Sequence, residues 1–249
     1  MKLSLYYKLI IFHVLLAVAI FLFKPLAILY FILIIVFFSY KIFSVPQKIK
    51  SYYVLLACAY VVGIEVFLRM NNGTFFYEAS KYLVIIFMLM GLFFNSFSNQ
   101  SLAYVFYFAL LIPGIFVSVE QVGYEINIRN AIAFNLSGPV CLGVSAIFCY
   151  KRSITFNQIK SILLVMLLPL ICTTTYLILY TPDLEGIIKG TGSNFATSGG
   201  FGPNQVATVL GIGLFVLTAR FFTSKELIYH KIFDLALLTV CLLYTSPSP

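Results

Sequence analysis

Long apolar runs separated by short polar stretches dominate this chain. A helix needs about 20 apolar residues to cross the hydrocarbon core of a bilayer, and by that measure the pattern predicts eight complete spans and a shorter run at 231–240. The eight spans are predicted at 7–23, 26–43, 52–70, 82–98, 101–119, 131–150, 161–180 and 204–222. All must be helices, because an open strand would leave backbone groups unpaired in lipid. The predicted fold class is all-α: a polytopic transmembrane helical bundle, forming one domain over 1–240, whose ninth span is incomplete.

Composition supports a lipid bilayer as the solvent for most of the chain. Of 249 residues, 61% are hydrophobic and only 10% are charged, with a mean hydropathy of +1.02, whereas soluble domains carry about 25% charged residues. The net charge of +8 comes from short basic clusters between apolar runs, so we expect no nucleic-acid partner. The five cysteines include no CxxC pair, and four lie within apolar runs, which is typical of small buried side chains and predicts no metal site.

The distribution of basic residues predicts an orientation. Counted loop by loop, eleven of the sixteen Lys and Arg residues fall on the side of the N-terminus and five on the other side. Because basic loops stay in the cytoplasm, the N-terminus is predicted to be cytoplasmic. Most acidic residues then fall in the predicted outer loops.

The last nine residues, 241–249, resemble translated adapter DNA from a sequencing library. The apolar run before them is too short to span. We therefore expect residues 241–249 to be a non-native tail and the native chain to be truncated.

The least membrane-like part of the chain is the glycine-rich stretch 191–205. Gly202 and Pro203 predict a helix start, with proline at the first helical position. A helix that begins there would direct its positive end to the outer membrane surface, where it favours a phosphate or another anion, and Asn204 and Gln205 add side-chain donors. The alternative is that the glycines only let the loop turn and cap the helix. Positions 204, 207, 208 and 211 share one face, suited to lining a groove or to close packing.

Residues 197–207, Thr-Ser-Gly-Gly-Phe-Gly-Pro-Asn-Gln-Val-Ala, running into Leu210-Gly211, resemble the signature of the O-antigen ligase and O-antigen polymerase family. These are bacterial membrane glycosyltransferases of the multi-helix GT-C type. Residues 135–139, Asn-Leu-Ser-Gly-Pro, at the predicted outer end of the sixth span, and residues 77–82, Tyr-Glu-Ala-Ser-Lys-Tyr, are similar to these proteins as well.

The resemblance implies an enzyme of cell-surface polysaccharide assembly in the bacterial inner membrane. It would transfer or polymerise a glycan from an undecaprenyl-diphosphate-linked donor on the periplasmic face, to a glycan or lipid A core acceptor, with no cofactor and no bound metal. The family's histidine base lies in a later outer loop, whereas this chain has only His13, in the first span, and His230, in a predicted inner loop. The catalytic residues are therefore expected beyond the truncation, and the fragment is expected to be inactive. Polymerase and ligase both stay open, with a slight preference for polymerase.

The resemblance also implies outer-side arginines that hold the diphosphate. The candidate substrate-binding residues are Arg69, Lys81, Arg129, Gly199, Gly200, Gly202, Asn204 and Gln205, with Lys189 as a further cation. Arginine is preferred because its planar fork matches phosphate oxygens. The structural alternative is that Arg69 pairs with Glu65, and Arg129 with Glu125, each four residues earlier on its helix.

Two other functions compete with the enzyme. A multi-pass transporter or polysaccharide flippase would also suit a helix that starts in a glycine-rich segment, but such proteins usually carry repeated halves and ionisable residues at the membrane midplane, and the sequence has no convincing repeat. A structural or scaffolding membrane protein is the third possibility.

Overall fold

The computed structural model describes residues 3–94, 98–121, 128–180, 198–223 and 228–244, and every regular element in these ranges is helical. The helices are α1 (Leu3–Leu22), α2 (Leu26–Ser44), α3 (Gln47–Met70), α4 (Ala79–Phe94), a 3-10 turn (Asn99–Ser101), α5 (Leu102–Gln121), α6 (Ile128–Cys149), α7 (Phe156–Tyr180), α8 (Pro203–Thr223) and α9 (Ile228–Tyr244). The predicted all-α class is confirmed for this part of the chain.

The expectation of eight complete spans is not met. Within the described residues, five helices are long and apolar enough to cross a membrane, namely α1, α2, α3, α7 and α8. Three more apolar helical stretches, 79–94, 102–117 and 133–149, are shorter. The 16 described residues of α4 extend about 24 Å, less than the roughly 30 Å of hydrocarbon core; the predicted span 82–98 also includes residues 95–97, which lie outside the described ranges. The incomplete ninth run forms α9, which continues to Tyr244, four residues into the segment assigned to the tail.

The chain divides into two compact units. The first contains residues 1–34, 59–75 and 155–249, and the second contains 35–58 and 76–154.

The first unit is organised around α7. Residues 167–174 of α7 are buried without interruption, so the helix is apolar on all sides, which is typical of a helix surrounded by protein. Helices α1, α8 and α9 pack against it. Gly63 of α3 permits a close approach, because a Cβ atom there would lie 2.4 Å from the Met166 backbone oxygen. Small residues at such crossings are the usual device of membrane helices.

The second unit is organised around α6, which packs against both α4 and α5. At these contacts two glycines leave room for an aromatic ring of the neighbouring helix. A Cβ atom at Gly91 of α4 would lie 2.3 Å from the Phe148 ring, and one at Gly143 of α6 would lie 2.6 Å from the Phe108 ring. Lys50 donates to the Ile42 and Phe43 carbonyls at the end of α2, both at 3.1 Å, which caps that helix.

Candidate functional site

Helix α8 begins at Pro203, as the sequence predicts. The turn before it, 198–200, is held by the Ser198 hydroxyl, which donates to the Phe201 carbonyl. The Gly202 carbonyl accepts from the N–H groups of Gln205 and Val206, at 3.1 and 3.2 Å. Pro203 has no N–H, and the N–H groups of Gln205 and Val206 already donate to this carbonyl. An anion at this end would therefore be held mainly by side chains and by the helix dipole.

Gly199 and Gly200 shape the backbone of this turn. Their φ angles are +70° and +72°, a conformation that side chains disfavour. A Cβ atom at Gly199 would lie 2.4 Å from Met70 Cε, and one at Gly200 would lie 2.7 Å from the Tyr180 hydroxyl. For these two glycines the geometry favours the capping and turning role over direct ligand contact.

Across from α8, the last turns of α3 carry an ion pair. Arg69 Nη2 lies 2.9 Å from Glu65 Oε1, and the two side chains are 8% and 22% exposed. The predicted pairing at this four-residue spacing is confirmed. Partial burial makes the pair more than a surface contact, because charges shielded from water interact more strongly.

A cavity of about 260 Å³ lies between α3 and α8, within the first unit. It is far larger than the roughly 10–15 Å³ that a single water requires. Its lining residues are Val62, Glu65, Val66 and Arg69 of α3, with Asn204, Gln205, Thr208, Val209 and Ile212 of α8. Three sequence candidates, Arg69, Asn204 and Gln205, are thus brought to one site although they are distant in the chain.

The lining changes character along the helix axes. Arg69, Asn204 and Gln205 lie near the ends of their helices, whereas Val62 and Ile212 lie about two turns deeper, roughly 10–12 Å along the axes. The cavity is therefore polar at the end formed by Arg69, Asn204 and Gln205 and apolar at the end formed by Val62 and Ile212, and its lining includes one cation, one carboxylate and two amides. The Thr208 hydroxyl donates to the Asn204 carbonyl at 2.7 Å.

The predicted small face of α8 contributes only in part. Positions 204 and 208 line the cavity, but Ala207 and Gly211 do not. A Cβ atom at Gly211 would meet no described atom within 4 Å, so close packing does not require this glycine.

The other candidates lie elsewhere. Lys81 is in the second unit, with Nζ 3.8 Å from Glu78 Oε2 and 3.3 Å from Ser137 Oγ. Arg129 is in the first turn of α6, and its side chain is outside the described residues, as are Glu125, Lys189 and residues 191–197. Gly202 contributes its carbonyl to the start of α8 and does not line the cavity.

The two shorter segments of the resemblance meet in the second unit. The Lys81 contact joins 77–82 to 135–139, and the rings of Tyr77 and Phe134 lie 5.9 Å apart. Residues 135–139 lie inside α6, which begins at Ile128, so they are further into the helix than the sequence predicts.

Sequence reasoning missed two buried polar clusters in the first unit. His13 Nε2 lies 3.0 Å from the Tyr60 hydroxyl, which in turn contacts the Tyr30 hydroxyl. The second cluster joins Arg220 to Asp234 at 3.2 Å and Tyr6 to Asp234 at 2.9 Å. The available signal was an ionisable residue inside an apolar run, which is costly in a membrane and usually has a partner.

Within the described ranges, no three His, Cys, Asp or Glu side chains lie together as metal ligands would. Compared with protein-family models, curated proteins and solved structures, the chain gives no match.

Proposed function

We propose that the chain belongs to a membrane glycosyltransferase of cell-surface polysaccharide assembly, which uses a glycan carried on undecaprenyl diphosphate. The observation that supports this most is the cavity with Arg69 and Asn204 at one end and Val62 and Ile212 at the other. A lipid-linked diphosphate has the same division, with a charged head followed by a hydrocarbon chain.

In this proposal Arg69 holds the diphosphate. A guanidinium donates two parallel hydrogen bonds to phosphate oxygens, and the positive end of α8 adds to the attraction. The Asn204 and Gln205 amides orient the head group, while the valines and Ile212 contact the first part of the polyprenyl chain. Glu65 opposes the anion and sets how much of the Arg69 charge is available.

The base for glycosyl transfer is not assigned to a residue. His13 and His230 are 3% exposed, His13 bonds to Tyr60 and the Leu9 carbonyl, and His230 lies with its ring 4.2 Å from that of Tyr6. Neither lines the cavity. The proposal therefore names no residue of this sequence as the base, and it keeps the GT-C-like helical bundle, the cytoplasmic N-terminus, the inner-membrane location and the open choice between polymerase and ligase.

The test is surface glycan length in cells that lack the gene and express its full-length form. Arg69→Gln and Asn204→Ala should each shorten or abolish the glycan at equal protein level, because each removes a contact to the donor. Gly211→Ala is the matched control on α8, since its methyl group meets open space, and should leave the glycan unchanged. Normal glycan from both site variants would refute the proposal.

The alternative of a transporter or flippase is favoured by one observation. His13 lies at the middle of α1, so an ionisable side chain is placed well inside an apolar helix, as in many transporters. The same cells distinguish the two functions. Loss of a flippase leaves lipid-linked glycan on the cytoplasmic leaflet, whereas loss of the transferase leaves it on the periplasmic leaflet.

A further inference from the structure

Three side chains from three helices form a continuous hydrogen-bonded chain inside the first unit. His13 of α1 is 3% exposed and Tyr60 of α3 is 8% exposed, while Tyr30 of α2 is partly exposed. His13 Nε2 lies 3.0 Å from the Tyr60 hydroxyl, and the Tyr60 and Tyr30 hydroxyls are in contact. This series of hydrogen bonds therefore runs from a buried imidazole to a side chain that reaches the surface of the unit.

The direction of each hydrogen bond follows from the other nitrogen of the imidazole. His13 Nδ1 lies 2.7 Å from the Leu9 carbonyl, which can only accept, so Nδ1 carries a proton in both charge states. In the neutral ring Nε2 is then an acceptor, Tyr60 donates to it, and Tyr30 donates to Tyr60. In the charged ring Nε2 donates, and both hydroxyls reverse. The bonds between His13, Tyr60 and Tyr30 can form in either charge state; in the charged state the Tyr30 hydroxyl is the terminal donor.

Few titratable groups lie against His13 in the ranges that the structure describes. The titratable groups packed against His13 are the Tyr60 phenol, the Tyr30 phenol behind it, and Cys172 of α7, whose thiol donates to the His13 backbone carbonyl at 3.2 Å. In the described part of the chain, no carboxylate forms an ion pair with this imidazole. An imidazole is the side chain that changes charge most readily near neutral pH.

We propose that His13 is a proton-binding site within the membrane and that Tyr30 and Tyr60 relay the proton to it. A hydronium ion gives a proton to the Tyr30 oxygen, the original Tyr30 proton moves to Tyr60, and the original Tyr60 proton moves to His13 Nε2. One proton is taken up, one water is released, and each phenol ends neutral. This inference does not depend on the glycosyltransferase proposal.

The test is ¹⁵N NMR of the histidine rings in the full chain, reconstituted in nanodiscs and titrated with acid. The chain has two histidines, and His13→Asn identifies the signal of His13. If that variant does not fold, His230→Asn makes the same assignment. Nε2 should change from unprotonated to protonated as the pH is lowered, while Nδ1 stays protonated.

Relay is tested by the rate of that change. Tyr30→Phe and Tyr60→Phe should each slow proton exchange at Nε2 by about tenfold or more, since the lost hydroxyl removes at least one hydrogen bond from the path. Tyr40→Phe, at an exposed position of α2, is the control and should have no effect. An imidazole that does not titrate, or equal exchange rates in Tyr30→Phe and the unaltered chain, would overturn the proposal. If the network were purely structural, the two phenylalanine variants would have a lower melting temperature and an unchanged exchange rate.

Discussion

Arg69 Nη2 lies 2.9 Å from Glu65 Oε1, one turn earlier on α3, and both side chains line the same cavity. The guanidinium that would receive an anionic head group is therefore partly neutralised by Glu65. In the proposed function an arriving diphosphate would compete with this carboxylate, and its affinity would depend on the balance between the two.

Glu65→Gln should strengthen binding of undecaprenyl diphosphate in nanodiscs by about three- to tenfold. The reason is that Arg69 loses its charged hydrogen bond to the Glu65 carboxylate, worth about 1 kcal/mol, and no longer has to give it up when the diphosphate binds. Glu78→Gln removes a carboxylate of the second unit and should leave the affinity unchanged. Weaker binding by the Glu65 variant would mean that the pair orients Arg69 more than it neutralises it.

Gly199→Ala should destabilise the protein by about 1–3 kcal/mol, through the left-handed backbone and the crowding by Met70. Gly211→Ala should cost nothing and can add up to about 1 kcal/mol, because alanine favours a helix and its methyl group has room. Denaturant unfolding in detergent compares the two. Equal stability of the two variants would refute the turn-forming role of Gly199.

Asp234→Asn should lower the free energy of unfolding by about 3–5 kcal/mol, since it leaves the buried Arg220 cation without its carboxylate. Replacing both partners, as Arg220→Met with Asp234→Leu, should recover part of that loss, because two apolar side chains need no desolvation of charge, although the Tyr6 hydroxyl loses its bond to Asp234. Lys24→Gln, at an exposed turn, is the control for a simple change of charge. A double variant as unstable as Asp234→Asn would show that the charges themselves stabilise this cluster.

Orientation is tested by cysteine labelling of intact cells, in a chain whose native cysteines are replaced. Phe75→Cys lies in the loop after α3, next to the Arg69 end of the cavity, and Lys48→Cys lies at the opposite end of that helix. Both positions are exposed. A membrane-impermeant maleimide should label position 75 and not position 48 from the periplasm. The reverse pattern would put the cavity on the cytoplasmic side and contradict transfer on the periplasmic face.

Much of the fold follows from the apolar pattern because the bilayer requires it. The turn at Lys24, the start of α8 at Pro203 and the approximate helix positions are all confirmed. Helix ends were less accurate, as at α3, which begins at Gln47 and not at residue 52, because an apolar run does not reveal where hydrogen bonding starts and stops. Within the described ranges five helices are long enough to span, fewer than the eight predicted, since apolar length was counted without the helix ends.

The candidate site was predicted in part. Asn204 and Gln205 were named from local chemistry and Arg69 from the family resemblance, but periodicity alone could not bring α3 next to α8. Lys81 was grouped with them because it is a cation on the predicted outer side, and the structure places it in a separate unit. His13 was noted but its hydrogen bonds were not predicted, because partners on other helices are set by packing.

The most direct test of the account is the affinity of undecaprenyl diphosphate for the purified chain in nanodiscs, compared among the unaltered chain, Arg69→Gln and Lys81→Gln. We predict that Arg69→Gln weakens binding by about tenfold or more, because a charge-assisted hydrogen bond to phosphate is lost. Lys81→Gln should have no effect. Uncharged undecaprenol should bind all three equally weakly. Equal affinity of Arg69→Gln and the unaltered chain for the diphosphate would contradict the account.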